Sequence, residues 1–156
     1  MRAAVVLLFV LVSGWSLAQP KVTNTAVHAA FERLEKSQAA IYKVSRTPMA
    51  SPEKPGDVEA NYVVQRLHRL FVLVKPRFTV KPKPSNPKLV FGKSFSSESR
   101  KQLTYLVAQG VIPAKDKLIT APTKFTVDDI GRWAFMVLKR TGELAPEKLP
   151  DDVMGR

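Results

Sequence analysis

The chain reads as a mainly α-helical protein: two helix-loop-helix units joined by a basic, proline-rich segment. Three observations predict this. Apolar residues recur at helical spacing in four separate stretches, and clear start and stop signals bracket the last two. Residues 75–93 hold six basic residues, four prolines and no acid, so they interrupt the helices.

The first stretch, MRAAVVLLFVLVSGWSLAQP, reads as a leader rather than as part of the fold. Arg2 supplies the charged start, Ala3 to Val12 the apolar run, and Ser16-Leu17-Ala18 the small residues of a cleavage site. The apolar run is shorter than the roughly 20 residues of a membrane-spanning helix. A signal peptide over residues 1–18 is therefore expected, with an uncleaved N-terminal anchor as the alternative. Cleavage removes Arg2 and lowers the formal charge from +12 to +11. After it, no transmembrane segment is expected.

The chain has no cysteine, so an exported form is held together by its core and not by disulfides. Zinc-finger, thioredoxin-type and cysteine-nucleophile chemistry are excluded on the same ground.

Residues 19–74 form the first expected unit. Val27, Phe31, Leu34 and Ile41 mark one helical stripe, and Glu32 and Lys36 are spaced for an i,i+4 ion pair. RTPMASPEKPG, residues 46–56, is a loop. Asp57 is placed as the cap of a second helix carrying Ala60, Val63, Leu67, Leu70, Phe71 and Val74. Helix is expected to about Leu70, with LFVLV ambiguous between helix and strand. In the connection, residues 75–93, short strands are allowed at 78–80 and 89–91.

Residues 94–145 form the second unit. A helix starts at Ser96 or Ser97, presents Leu103, Leu106 and Val107, and stops at Gly110 before Pro113. The next has a capping pair, Thr126 and Asp129, with Phe125 and Ile130 placed as a hydrophobic staple. Its stripe is Ile130, Trp133, Ala134, Val137 and Leu138, and Gly142 is positioned to close it. Neither helix is long enough to be stable alone, so each must bury its stripe. Residues 146–156 read as a flexible tail. A weak internal repeat relates Ile41 to Val111 and Glu59 to Asp129 at one offset of 70 residues.

The string LTYLVAQGVIPAKDKLITAPTKFTVDDIGRWAFMVLKR resembles an S-layer homology domain. Gly110, Thr126, Asp129 and Arg140 fall in register with that family's motif, as do Leu103, Leu106, Val111, Ile112, Phe125 and Ala134. Val127 stands where the family has arginine, and Asp129 where it has glutamate. The resemblance implies a non-enzymatic envelope protein that attaches to an anionic cell-wall polymer or a surface-layer protein. The alternative is a periplasmic helical adaptor without polymer affinity.

No residue pattern signals catalysis, a cofactor or a metal. His28 and His68 lack a ligand-spaced companion, and Asp128-Asp129 is explained by capping. The serines form no nucleophile motif, and Trp133 fits a core stripe. What folding leaves unexplained is the basic segment. Lys75, Arg77, Lys81, Lys83, Lys88 and Lys93 are the expected polyanion-binding residues. Export directs them to wall polymers, lipopolysaccharide or lipid headgroups and away from nucleic acid. The segment also lacks the interleaved aromatics of a single-strand binder.

Overall fold

The structure is a computed structural model that describes residues 22–52, 56–120 and 125–146. The expected leader, residues 1–18, and all but Pro146 of the expected tail, residues 146–156, lie outside the described residues. The described chain is mainly α-helical, as the apolar periodicity requires. Its elements are α1 (Asn24–Tyr42), α2 (Ala60–Val74), a 3-10 turn (Lys75–Arg77), α3 (Ser97–Ala108), a one-turn α4 (Lys117–Thr120) and α5 (Val127–Leu144). No helix among the described residues is long and apolar enough to cross a membrane.

Local chemistry sets most of the helix ends. Thr23 caps α1 by accepting from the amide of Ala26, and Ser96 caps α3 by accepting from that of Ser99. At α5 the capping box is complete: Thr126 Oγ1 accepts from Asp129 N at 3.1 Å, and Asp129 Oδ2 accepts from Thr126 N at 3.0 Å. Gly110 closes α3 with φ 70°, a left-handed conformation that costs glycine nothing.

Three ends differ from expectation. Asp57 does not cap α2; it forms an isolated bridge with Thr23, and the helix starts at Ala60 behind Glu59. The ambiguous LFVLV is helical to Val74, because Leu70, Phe71 and Val74 are all buried on one side. Gly142 lies within α5, which runs on to Leu144, itself 1% exposed. The carbonyl of Leu144 accepts from Thr79 N and Val80 N, which holds this last turn in place.

The helices pack in parallel, which a helical hairpin would not do. His28 meets Tyr62, Glu32 meets Arg66, and Glu35 meets Arg69, every pair 34 residues apart. A constant difference means that α1 and α2 run in the same direction. The loop between them therefore returns the length of α1, and Asn24 N donates to Gly56 O at 3.0 Å. Helix α3 follows the same rule: Asn61, in the first turn of α2, bonds Ser94 O and Ser96 N, while His68 and Phe71 meet Tyr105. The C-terminal ends of α3 and α5 also meet, through Arg140 Nε and Gln109 O at 2.9 Å.

Helix α2 is central, and α1, α3 and α5 each pack on it. The sequence leaves open whether the two expected units share a core, and the packing answers that they do. Phe31, Leu67, Leu106 and Trp133 share a single hydrophobic cluster. The repeat anchors are not equivalent either. Ile41 is 39% exposed whereas Val111 is buried, and Glu59 precedes its helix whereas Asp129 sits three residues into its own.

No strand forms at 78–80 or 89–91; the bridge of Thr23 with Asp57 is the one β pairing among the described residues. Pro82, Pro84 and Pro87 have no amide hydrogen to offer a ladder. The connection is instead an irregular strap. Ser85 N donates to Ala108 O at 3.0 Å and Gly92 N to Ile119 O at 2.8 Å. Phe78 packs on Phe71 with ring centroids 5.2 Å apart, and Leu89 and Phe91 lean on the core.

Candidate polyanion-binding face and the buried charge network

The six basic residues of the connection are all exposed, but they do not share one task. Arg77 reaches back to the C-terminal end of α1, donating to Tyr42 O at 3.0 Å and Lys43 O at 2.8 Å. There it satisfies carbonyls that the helix leaves open and offsets the negative end of the dipole. Lys75 Nζ stands 5.6 Å from the centre of the Tyr105 ring, a cation–π contact. The other four, Lys81, Lys83, Lys88 and Lys93, have no ion-pair partner among the described residues. From Ala60 through Ser97 the chain has no acidic residue at all. The strap is tied down by backbone bonds at Thr79, Val80, Ser85 and Gly92, so these charges sit on a fixed track and not on a free arm.

The four residues in register with the S-layer homology motif all have structural work. Thr126 and Asp129 cap α5. Gly110 ends α3, and a Cβ added there would lie 3.6 Å from the Arg140 guanidinium. Arg140 binds the carbonyl of Gln109 and pairs with Glu143 at 2.8 Å. Together they lock the C-terminal end of α3 to the last turns of α5.

Two charged constellations were not expected from the sequence. The first lies between α1 and α2. Glu35 and Arg66 are each fully buried, with Glu35 Oε1 2.8 Å from Arg66 Nη2. Arg66 Nη2 also donates to Glu32 Oε1 at 2.9 Å, Arg46 to Glu32 Oε2 at 2.5 Å, and Arg69 Nε to Glu35 Oε2 at 3.0 Å. Arg69 donates in addition to Thr47 O, which fastens the loop after α1. The Arg66 guanidinium lies 5.7 Å from the centre of the Phe31 ring. Glu32 therefore pairs across the helix interface, not with Lys36, which is exposed. An i,i+4 pair in water is worth only a few tenths of a kcal/mol, so partners across a half-buried interface win.

Burial alone would raise the pKa of Glu32, but hydrogen bonds from Arg66 and Arg46 outweigh it and bring it from 4.5 to about 2. A carboxylate with a depressed folded pKa adds stability above its unfolded pKa, and that contribution is lost as pH falls through the folded value. The melting temperature should therefore fall between pH 4.5 and pH 2, and Glu32→Gln should flatten that part of the profile. An unchanged profile in the variant would rule out this source of acid sensitivity.

The second constellation centres on Asp116, 8% exposed, in the connection between α3 and α5. It accepts from Arg132 Nη1 at 2.6 Å, from Trp133 Nε1 at 3.0 Å and from Leu118 N at 3.0 Å. Burial pushes the carboxyl pKa up, but hydrogen bonds from Arg132, Trp133 and the Leu118 amide outweigh it and hold it below the usual value. Asp116 thus starts α4 and anchors it to α5 through the buried indole.

The two histidines are half-buried within helices. His28 Nδ1 lies 2.9 Å from the Tyr62 hydroxyl, and His68 packs edge-on against Tyr105 with its pKa lowered by burial. Among the described residues no three His, Cys, Asp or Glu side chains are grouped to hold a metal ion. Comparison of the chain with protein-family models, with curated proteins and with solved structures returned no match.

Proposed function

We propose that the chain is an exported envelope protein that acts by binding rather than by catalysis, and that its ligand is an anionic cell-wall or surface-layer polymer. One observation supports this above the others. Lys81, Lys83, Lys88 and Lys93 are exposed, unneutralised and carried on a strap pinned at Leu144, Ala108 and Ile119. Charges held in place lose less conformational freedom on binding than charges on a free arm. The leader-like start supports a ligand outside the cytoplasm, and the resemblance to S-layer homology units favours wall polymers among extracellular polyanions.

Purified protein spanning residues 19–156 should co-sediment with wall sacculi at low salt and be released as salt rises, because exposed charges are screened within about 10 Å at 0.1 M. Reversing Lys81, Lys83 and Lys88 to glutamate together should abolish sedimentation while leaving the helical circular dichroism unchanged. Absence of sedimentation at low salt would overturn the proposal and favour a helical adaptor that binds another protein.

A further inference from the structure

Three elements that are distant in sequence bring cations to one place beside the strap. Gly92 N donates to Ile119 O at 2.8 Å, which sets Lys93 next to α4 and its exposed Lys117. Arg100, exposed on α3, lies with its guanidinium carbon 6.0 Å from the centre of the Phe91 ring. Phe91 is the residue before Gly92, so the segments that carry Lys93, Arg100 and Lys117 meet at one short run of chain.

Nearby acids do not cancel this charge. Asp116 is buried and already satisfied by Arg132, Trp133 and Leu118 N. Glu98 accepts from Gln102 at 3.3 Å and, two residues from Arg100, points roughly 200° away around the helix. Its charge is felt instead at His68, on α2. Neither Lys93, Arg100 nor Lys117 has an ion-pair partner among the described residues.

We infer that Lys93, Arg100 and Lys117 form a composite site for the phosphate groups of a soluble linear polyanion. This rests on the polymer-binding reading above and gives it a location and a chemical class. Arg100 is exposed with its guanidinium against the Phe91 ring, and its planar fork suits bidentate contact with a phosphate. The two lysines are carried on the strap and on α4. Cations carried on three separate elements suit a tetrahedral anion, whose oxygens point in several directions, better than a carboxylate, whose two oxygens share a plane.

The test is calorimetric titration of linear polyphosphate into the protein spanning residues 19–156 at low salt. The comparison protein carries Lys93→Gln, Arg100→Gln and Lys117→Gln, and Lys36→Gln on α1 serves as the control. All four positions are exposed, and circular dichroism checks that each variant folds. The triple variant should bind about tenfold more weakly, with a shallower dependence of log affinity on log salt, as expected when phosphate contacts are removed. Lys36→Gln should bind as the parent does.

Equal binding by the triple variant and the parent would overturn the composite site while leaving polymer binding intact. Equal affinity of the parent for polygalacturonate would overturn the assignment to phosphate. Binding only to phosphatidylglycerol vesicles would overturn the choice of a soluble polymer over a headgroup surface. If the parent binds none of these polyanions, the polymer-binding reading falls, and this inference with it.

Discussion

Glu35→Ala should destabilise the protein by about 2–3 kcal/mol, less than stripping a buried charge of every counter-ion, because Glu32 stays with Arg66 at 2.9 Å. The charge left with one carboxylate in place of two is Arg66, fully buried, whose Nη2 stands 2.8 Å from Glu35 Oε1. Arg66 already has two nitrogens, Nε and Nη1, without a hydrogen-bond partner. It therefore has little spare solvation with which to absorb the loss. Against a total stability of about 5–15 kcal/mol for a domain of ordinary size, the effect is large.

The decisive comparison is the double variant Glu35→Leu with Arg66→Met. It removes both buried charges, and Glu32 keeps Arg46 at 2.5 Å. Its urea midpoint should lie well above that of Glu35→Ala, because replacing a buried pair by apolar groups is often neutral or stabilising. A single variant within about 1 kcal/mol of the parent would mean that water reaches Arg66 and that the pair is not desolvated.

Asp116→Ala should cost about 2–4 kcal/mol, since a buried donor left unsatisfied costs about 1–3 kcal/mol and this carboxylate serves two such donors. They are the indole of Trp133, itself 0% exposed, and the amide of Leu118. Arg132, on the same carboxylate, is 43% exposed and can turn to water, so it adds less. Asp116→Asn keeps one acceptor oxygen and should fall between. The readout is specific: the chain's other tryptophan, Trp15, precedes residue 19, so in protein starting there the emission reports Trp133 alone. Loss of its bond should change the emission along with the urea midpoint. Unchanged emission and a shift below about 0.5 kcal/mol would show that Asp116 does not hold α4 to α5.

The features legible in the sequence were those decided within a few residues. Thr126 and Asp129 satisfy each other's amides across one helical turn, so their pattern states the start of α5 without reference to anything else. The stop at Gly110 is of the same kind. What misled the reading was decided across the fold. Asp57 has the chemistry of a cap but is engaged by Thr23, 34 residues earlier, so α2 starts later.

Spacing alone matches Glu32 to Lys36, whereas burial gives it Arg46 and Arg66. A signal for that network does exist. His28, Glu32 and Glu35 have the same spacing as Tyr62, Arg66 and Arg69, with acids on one helix facing bases on the other. Two matched patterns of opposite charge predict a parallel pair, which neither stripe of apolar residues does. The basic track is only partly readable: Lys75 and Arg77 look like the other basic residues of the connection, yet one lies against Tyr105 and the other caps α1.

Helices that all run one way impose a kinetic consequence. An antiparallel bundle joins its neighbours through short turns and gains its contacts early. Here the contacts of α1 with α2 join residues 31 to 35 positions apart. Closing such a span costs entropy before any packing is gained. For a protein made of helices, its interhelical contacts span long stretches of chain, and it should fold more slowly than an antiparallel bundle of the same size.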